Sequence, residues 1–181
     1  FMETVGMRPV VVHGGGSAIS RAMEQEGITP RFVQGRRVTD SKTLQIVERV
    51  LAYETNERVA QLVEQLGGRA MNLNFRTTNV LFGQRLQLED RDGKSVDLGH
   101  VGYITRVDRE PIENLCYAGQ VPIIPSMCLD TERDEKLNVN ADTVAAEIAR
   151  AIGATKLLLL TRTPGILRNA DDPTTLLHWT D

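Results

Sequence analysis

The sequence predicts an α/β fold, with an open, mostly parallel sheet sandwiched by helices and a small antiparallel hairpin excursion. Short continuous apolar runs, such as Val121–Pro125 and Leu157–Leu160, are typical of parallel strands that are buried on both faces. Segments whose apolar residues recur at helical spacing alternate with these runs, and most of them stop at a glycine. This alternation favours helices on both faces of one sheet.

The first predicted unit is a strand, a tight turn and a helix. Pro9–Val12 is a β-branched run that enters the turn His13–Gly16. We expect Ser17 to cap the helix that follows and Gly27 to end it.

A second helical region is predicted to begin at Thr39–Ser41, a segment that offers a helix start. Apolar residues follow helical spacing from there to Gly67, so the region is one long helix or two helices in tandem. Tyr53–Glu57 is where we expect a break or a contact with a partner.

The rest of the chain first turns antiparallel and then returns to the α/β pattern. Asp92 and Gly93 predict a hairpin turn inside the excursion. The predicted elements are short strands at Val80–Phe82, Leu86–Leu88 and Val96–Leu98, a helix at Pro111–Tyr117, a strand at Val121–Pro125, a polar turn at Asp130–Lys136, a helix at Asp142–Ile152 and a strand at Leu157–Leu160.

Composition narrows the class of function. Hydrophobic residues make up 41%, charged residues 25%, and the net charge is -3, as expected for a globular protein that binds neither nucleic acid nor membranes. The basic cluster Arg31, Arg36 and Arg37 suits a small anion instead. Cys116 and Cys128 form no CxxC pair, which favours reduced thiols in a cytoplasmic protein over a zinc site.

Three loops at the carboxyl ends of predicted strands are candidate ligand sites: Gly14–Gly16, Asn138–Asp142 and Thr161–Gly165. Consecutive glycines let a ligand approach the backbone closely, and a helix N-terminus offers free amides to an anion. A Walker A loop is excluded because Leu88 stands where the first glycine is required, and a GxGxxG fingerprint fails at Ile19. The chain also lacks the G-x-S-x-G elbow of esterases.

Two further motifs are open to two interpretations each. In Gly35–Asp40, an arginine placed before a helix start either holds a carboxylate through paired hydrogen bonds or is a solvated loop residue. In Asn138–Asp142, Asn140 can cap a helix while Asn138 and Asp142 face a ligand. We expect His13 to support the glycine turn. No nucleophile–base pair is evident, and phosphoryl transfer needs none.

Taken together, these motifs resemble the amino-acid kinase superfamily and, within it, the acetylglutamate kinases. The resemblance covers nearly the whole chain. It is carried by Val-Val-His-Gly-Gly-Gly (11–16), Gly-Arg-Arg-Val-Thr-Asp (35–40), Leu-Gly-His-Val-Gly (98–102), Val-Pro-Ile-Ile-Pro-Ser (121–126), Asn-Val-Asn-Ala-Asp (138–142), and Leu-Leu-Leu-Leu-Thr with Pro-Gly-Ile-Leu (157–167).

The resemblance implies ATP-dependent phosphorylation of the side-chain carboxylate of N-acetyl-L-glutamate. Gly15 and Gly16 would donate amide hydrogen bonds around the acceptor carboxylate and the transferring phosphoryl group. Arg37 would hold the α-carboxylate, and Asn138 the acetylamino end. Asp142 would orient catalytic lysines.

The same resemblance implies a nucleotide site at Gly14, Thr161 and Gly165, with ATP and Mg²⁺ as cofactors. Residues 1–153 would form the acyl-amino-acid lobe and 154–181 the start of the nucleotide lobe. A homodimer or higher homo-oligomer is expected through the long helix.

The family's two catalytic lysines do not occur at matching positions, so we expect sequence to be missing at both ends and these 181 residues to be inactive alone. Arg162 stands where the family commonly has aspartate. Two alternatives remain open: a kinase for a related carboxylate such as an acyl-aminoadipate, and a ligand-binding homologue without catalysis.

Overall fold

A computed structural model describes residues 6–89, 93–161, 165–169 and 172–177. The helices are α1 (Gly16–Gln25), α2 (Ser41–Glu48), α3 (Asn56–Gln65), α4 (Arg109–Tyr117) and α5 (Ala141–Ala151). The strands are β1 (Val11–His13), β2 (Phe32–Val33), β3 (Arg36–Arg37), β4 (Ala70–Asn72), β5 (Leu81–Arg85), β6 (Leu88–Glu89), β7 (Ser95–Val96), β8 (Gly102–Val107), β9 (Val121–Pro125), β10 (Met127–Asp130) and β11 (Glu135–Asn138). A short 3₁₀ turn covers Pro173–Thr175.

A three-stranded parallel sheet in the order β1-β9-β4 confirms the predicted fold class. All five residues of β9 are buried, because strands lie on both sides of it and α3 and α4 pack against it. His13 at the end of β1 lies opposite Pro125 at the end of β9, so both strands deliver their next residues to one edge. At that edge the Ser126 amide donates to the His13 carbonyl at 3.1 Å.

The antiparallel part is larger than the predicted excursion. A second sheet has the order β11-β10-β5-β8, and only its β10–β5 pair is parallel. The hairpin β6–β7 forms as predicted, although Asp92 lies outside the described residues. The segment predicted as a polar turn at Asp130–Lys136 contributes strand residues at both ends, because Met127–Asp130 pairs with Glu135–Asn138 around a four-residue turn.

The second helical region is continuous from Ser41 to Gln65, with a π-helical segment at Arg49–Thr55 between α2 and α3. This π-helical segment overlaps Tyr53–Glu57, where a break or a partner contact was expected, but the backbone stays helical through it. The predicted helix start is confirmed, and the Asp40 carboxylate caps the helix by accepting from the Thr43 amide at 2.7 Å.

Two further predictions, one about a helix cap and one about a strand, were wrong. Ser17 does not cap α1: the helix begins at Gly16, and Gly15 occupies the N-cap position without a side-chain hydrogen bond. The run Leu157–Leu160 forms no strand, and its side chains are 46–97% exposed. A parallel strand needs a neighbour to complete its hydrogen bonds, and no described strand pairs with this run.

Within the described ranges, no helix combines the length and apolar character needed to cross a bilayer. Cys116 is half-buried and Cys128 is buried, and neither forms a disulfide.

Candidate functional site

The glycine turn fits tightly between two helices and opens on one side. A Cβ built on Gly14 would lie 3.1 Å from Ala141 Cβ, and one on Gly15 would lie 2.6 Å from Leu51 Cδ2. A Cβ on Gly16 would meet nothing within 4 Å. The first two glycines therefore allow close packing against the start of α5 and the long helix. Gly16 begins α1 on the open side, where the positive end of the helix faces outward.

Arg37 is the most deeply buried cation near this turn. Its side chain is only 6% exposed. One guanidinium nitrogen donates to the Gly16 carbonyl at 2.9 Å and to Ser20 Oγ at 2.8 Å. The other terminal nitrogen contacts Met23 Sδ at 3.2 Å, and the guanidinium carbon lies 4.7 Å from the centroid of the Phe32 ring. The sequence was also compatible with a solvated arginine at this position, and the observed packing of Arg37 excludes that interpretation.

The charge of Arg37 is not neutralised within the part of the chain that the structure describes, where no carboxylate lies within 4.0 Å of it. Burial lowers the pKa of Arg37 because it penalises the charged form. A buried cation without a counter-ion is costly, so an anionic ligand at this position would be strongly favoured.

A groove of about 560 Å³ adjoins the turn and Arg37. Its lining residues are Gly16, Ser17, Ser20, Arg21, Phe32 and Arg37. Ser20, Arg21 and Phe32 were missed in the sequence. The signal for the first two was available, because positions 16, 17, 20 and 21 share one face of a helix. Phe32 reaches the groove through the β2–β3 pairing, in which it lies opposite Arg37.

Asn138 is joined to Arg37 through Thr39. Asn138 Nδ2 donates to Thr39 Oγ1 at 3.2 Å, and that hydroxyl donates to the Arg37 carbonyl at 2.9 Å. The backbone repeats the link, since the Asn138 amide donates to the His100 carbonyl and the His100 amide donates to the Thr39 carbonyl. The structure thus brings together residues 37, 39, 100 and 138, which are distant in sequence.

The His100 side chain belongs to an ion-pair cluster behind this link. Arg85 donates to both oxygens of Glu135 at 2.6 Å, and His100 Nδ1 lies 3.0 Å from Glu135 Oε2. Ser41 Oγ is 3.1 Å from His100 Nε2. Hydrogen bonding from Arg85 lowers the pKa of Glu135, so the carboxylate stays charged and holds His100, in the segment before β8, to the second sheet.

Asp142 lies in the first turn of α5 and is exposed. Asn140 caps that helix as predicted, accepting from the Thr143 amide at 3.0 Å. Because Gly14 packs on Ala141, the start of α5 lies directly beside the glycine turn. Asp142 therefore stands next to the turn with its carboxylate in solvent.

Thr161 and Gly165, predicted to bind nucleotide with Gly14, are not joined to Gly14 by any described contact. Thr161 is exposed. A Cβ on Gly165 would lie 2.8 Å from Leu176 Cδ1, within a small ladder where Leu167 pairs with Leu176. Arg162 lies outside the described residues.

A buried polar network beneath the turn was also missed. Asn56 is fully buried, and its amide nitrogen donates to His13 Nε2 at 3.1 Å and to the Ile123 carbonyl at 3.0 Å. Its oxygen accepts from Asn74 Nδ2 at 3.1 Å. His13 Nδ1 lies 3.2 Å from the Gly14 carbonyl. Only its support of the glycine turn was expected of His13.

The free energy of unfolding should fall as the pH drops below about 6.5. Burial lowers the pKa of His13, so the unfolded chain takes up a proton first. Stability is complete above the unfolded pKa and decreases as the pH falls toward the folded pKa. Urea unfolding between pH 8 and pH 5 measures the effect. The variant His13→Asn should lose this part of the slope, and an unchanged slope would show that another group causes it.

The described residues contain no group of three or more His, Cys, Asp or Glu side chains that could hold a metal ion. The described side chains alone therefore form no Mg²⁺ site.

Comparison with known proteins gives consistent matches. A family model described as the amino acid kinase family matches residues 2–178. An acetylglutamate kinase from Synechocystis sp. is 44% identical over all of this chain and 58% of its own length. One from Methanothermobacter thermautotrophicus is 42% identical over 98% of this chain and 62% of its length. The chain therefore spans about three-fifths of these relatives. The solved structure of smu.665 from Streptococcus mutans superposes with a TM-score of 0.81 at 30% identity, covering 92% of this chain and 65% of that one.

Proposed function

Because this chain belongs to the amino acid kinase family, we propose that the intact protein is an acetylglutamate kinase and that these residues hold its acceptor substrate. The observation that carries the proposal is the buried guanidinium of Arg37, which faces a groove beside a helix N-terminus without a described counter-ion. Relatives named acetylglutamate kinase at 42–44% identity support this choice within the family.

N-acetyl-L-glutamate matches the chemistry of the groove. It carries two carboxylates and one acetylamino group. The α-carboxylate pairs with Arg37, and the acetylamino group lies toward Asn138. The side-chain carboxylate then approaches the amides of Gly15 and Gly16. Fixing both ends of the acceptor lowers the entropic part of the barrier.

Transfer of the γ-phosphoryl group of ATP onto a carboxylate brings two anions together, so the main requirement is stabilisation of negative charge. The amides at the start of α1 supply it without a proton transfer. Asp142, beside the turn and exposed, is available to orient a cationic group that faces the phosphates. ATP would supply the phosphoryl group, and Mg²⁺ stays a proposed cofactor. Gly14, Thr161 and Gly165 stay proposals for nucleotide contact, as do the homodimer and the cytoplasmic location.

A hydroxamate assay tests the proposed function. Intact protein is supplied with ATP, Mg²⁺ and N-acetylglutamate, and the acyl phosphate is trapped with hydroxylamine. We expect hydroxamate that depends on all three components. Parallel reactions with an acyl-aminoadipate and with free glutamate separate the related kinase. No product above background with any acceptor would reject catalysis and favour a ligand-binding homologue.

A further inference from the structure

Behind the glycine turn, the fully buried Asn56 settles the tautomer of His13. Its oxygen is occupied by Asn74, and its nitrogen faces both the Ile123 carbonyl and His13 Nε2. A carbonyl oxygen can only accept, so the Asn56 nitrogen must be the group that faces it, and its second hydrogen is donated to His13. Nε2 is therefore the acceptor, and the ring proton of neutral His13 lies on Nδ1.

The ring proton on Nδ1 fixes the orientation of the next peptide unit. His13 Nδ1 is 3.2 Å from the Gly14 carbonyl, so the N–H donates to that oxygen. The Gly14 carbonyl and the Gly15 amide belong to one trans peptide plane, in which they point in opposite directions. Holding the carbonyl toward the buried ring therefore turns the Gly15 N–H away from it. Within the described ranges, that N–H has no hydrogen-bond partner.

We propose that His13, held by Asn56 in its Nδ1–H form, is a positioning residue that aims the Gly15 amide at the reacting carboxylate and phosphoryl oxygens. This inference rests on the proposed function. His13 itself lies behind the peptide and does not touch the substrate. Gly14 and Gly15 are flanked closely by Ala141 and Leu51, but among the described contacts only that of His13 distinguishes one face of their shared peptide from the other. The acceptor's α-carboxylate and acetylamino group bind elsewhere, at Arg37 and Asn138.

Two substitutions separate this role from simple packing. The glutamine side-chain amide reaches the position of Nε2 and can keep the contact with Asn56. It has no donor at the position of Nδ1, so nothing donates to the Gly14 carbonyl. Asparagine carries its amide nitrogen where Nδ1 stands and restores that donor. We expect His13→Gln to lower kcat about 10- to 100-fold, below the full effect of removing an oxyanion donor, with the KM for N-acetylglutamate nearly unchanged. His13→Asn should recover most of kcat. Urea unfolding confirms that both variants are folded.

An activity-independent measurement keeps the inference separate from the proposed function. Nitrogen-15 spectra of the intact protein near pH 8 report which ring nitrogen of His13 carries the proton, and amide spectra report the Gly15 peptide. We expect the Nδ1–H form, and a Gly15 amide signal that moves in His13→Gln and returns in His13→Asn. An Nε2–H ring, an unmoved Gly15 signal or an unchanged kcat in His13→Gln overturns the inference. An inactive wild-type protein with the expected spectra rejects only the kinase assignment, and the orientation of Gly15 by His13 still stands.

Discussion

Replacing Arg37 by alanine should raise the KM for N-acetylglutamate about 100-fold and leave kcat within a few-fold. A hydrogen bond to a charged group contributes about 1.5–3 kcal/mol, and each ~1.4 kcal/mol corresponds to a factor of ten. Arg37 binds a part of the acceptor that does not change during transfer, so the loss falls on substrate binding and not on the chemical step. Steady-state kinetics on the intact protein, with ATP saturating, measure both constants.

The neighbouring Arg36 provides the matched control. It precedes Arg37 in β3 but does not line the groove, so Arg36→Ala removes the same charge from the same strand and should change KM less than about threefold. Arg37→Lys should lie between the two, because lysine keeps the charge but loses the planar fork that binds a carboxylate. If Arg37→Ala binds the acceptor as well as Arg36→Ala does, the α-carboxylate lies elsewhere.

Gly99→Ala should be the most destabilising of the glycine substitutions at the site, with a loss of about 2–5 kcal/mol in the free energy of unfolding. Gly99 has φ of +70°, and an added Cβ would lie 2.2 Å from the carbonyl oxygen of Thr39. That oxygen belongs to a fully buried residue that links Arg37 to Asn138, so the backbone cannot move aside without disturbing the groove. Urea unfolding of the variant and of the unsubstituted protein measures this difference in the free energy of unfolding.

Gly35→Ala separates the two causes of that loss. Gly35 has a similar φ of +75°, but a Cβ there would meet nothing within 4 Å. Its cost should be limited to the strain of the left-handed conformation, about 1–2 kcal/mol. Equal losses in the two variants would mean that the contact between Gly99 and Thr39 is not tight in solution. The KM of Gly99→Ala should also rise, because Thr39 positions both acceptor-binding segments.

Local chemistry explains which parts of this fold were predictable. β9 was placed at its observed limits because its apolar run is continuous, and Asn140 was identified as a cap because its side chain acts within three residues. Leu157–Leu160 has an equally apolar run, yet it forms no strand. Whether such a run pairs is decided by its neighbours in space and not by its composition.

The site was predictable only where its functional residues form a motif of consecutive residues. The glycine turn, Arg37 and Asn138 were proposed from motifs, and the structure brings their segments together, although their roles stay predictions. The network of His13, Asn56 and Asn74 could not be predicted, because an isolated asparagine on a helix gives no indication that a histidine 43 residues away will accept its hydrogen bond.

The π-helical segment between α2 and α3 lets one helix contact the glycine turn and the residue before it from two positions. In a regular α-helix two residues five positions apart point about 140° away from each other, because each step rotates the chain by about 100°. In a π-helix each residue is hydrogen-bonded to the residue five positions along, so the two residues lie closer to the same side of the helix. Leu51 can thus pack against Gly15 while Asn56 donates a hydrogen bond to His13, so an apolar contact and a polar contact from one helix act on residues only two positions apart.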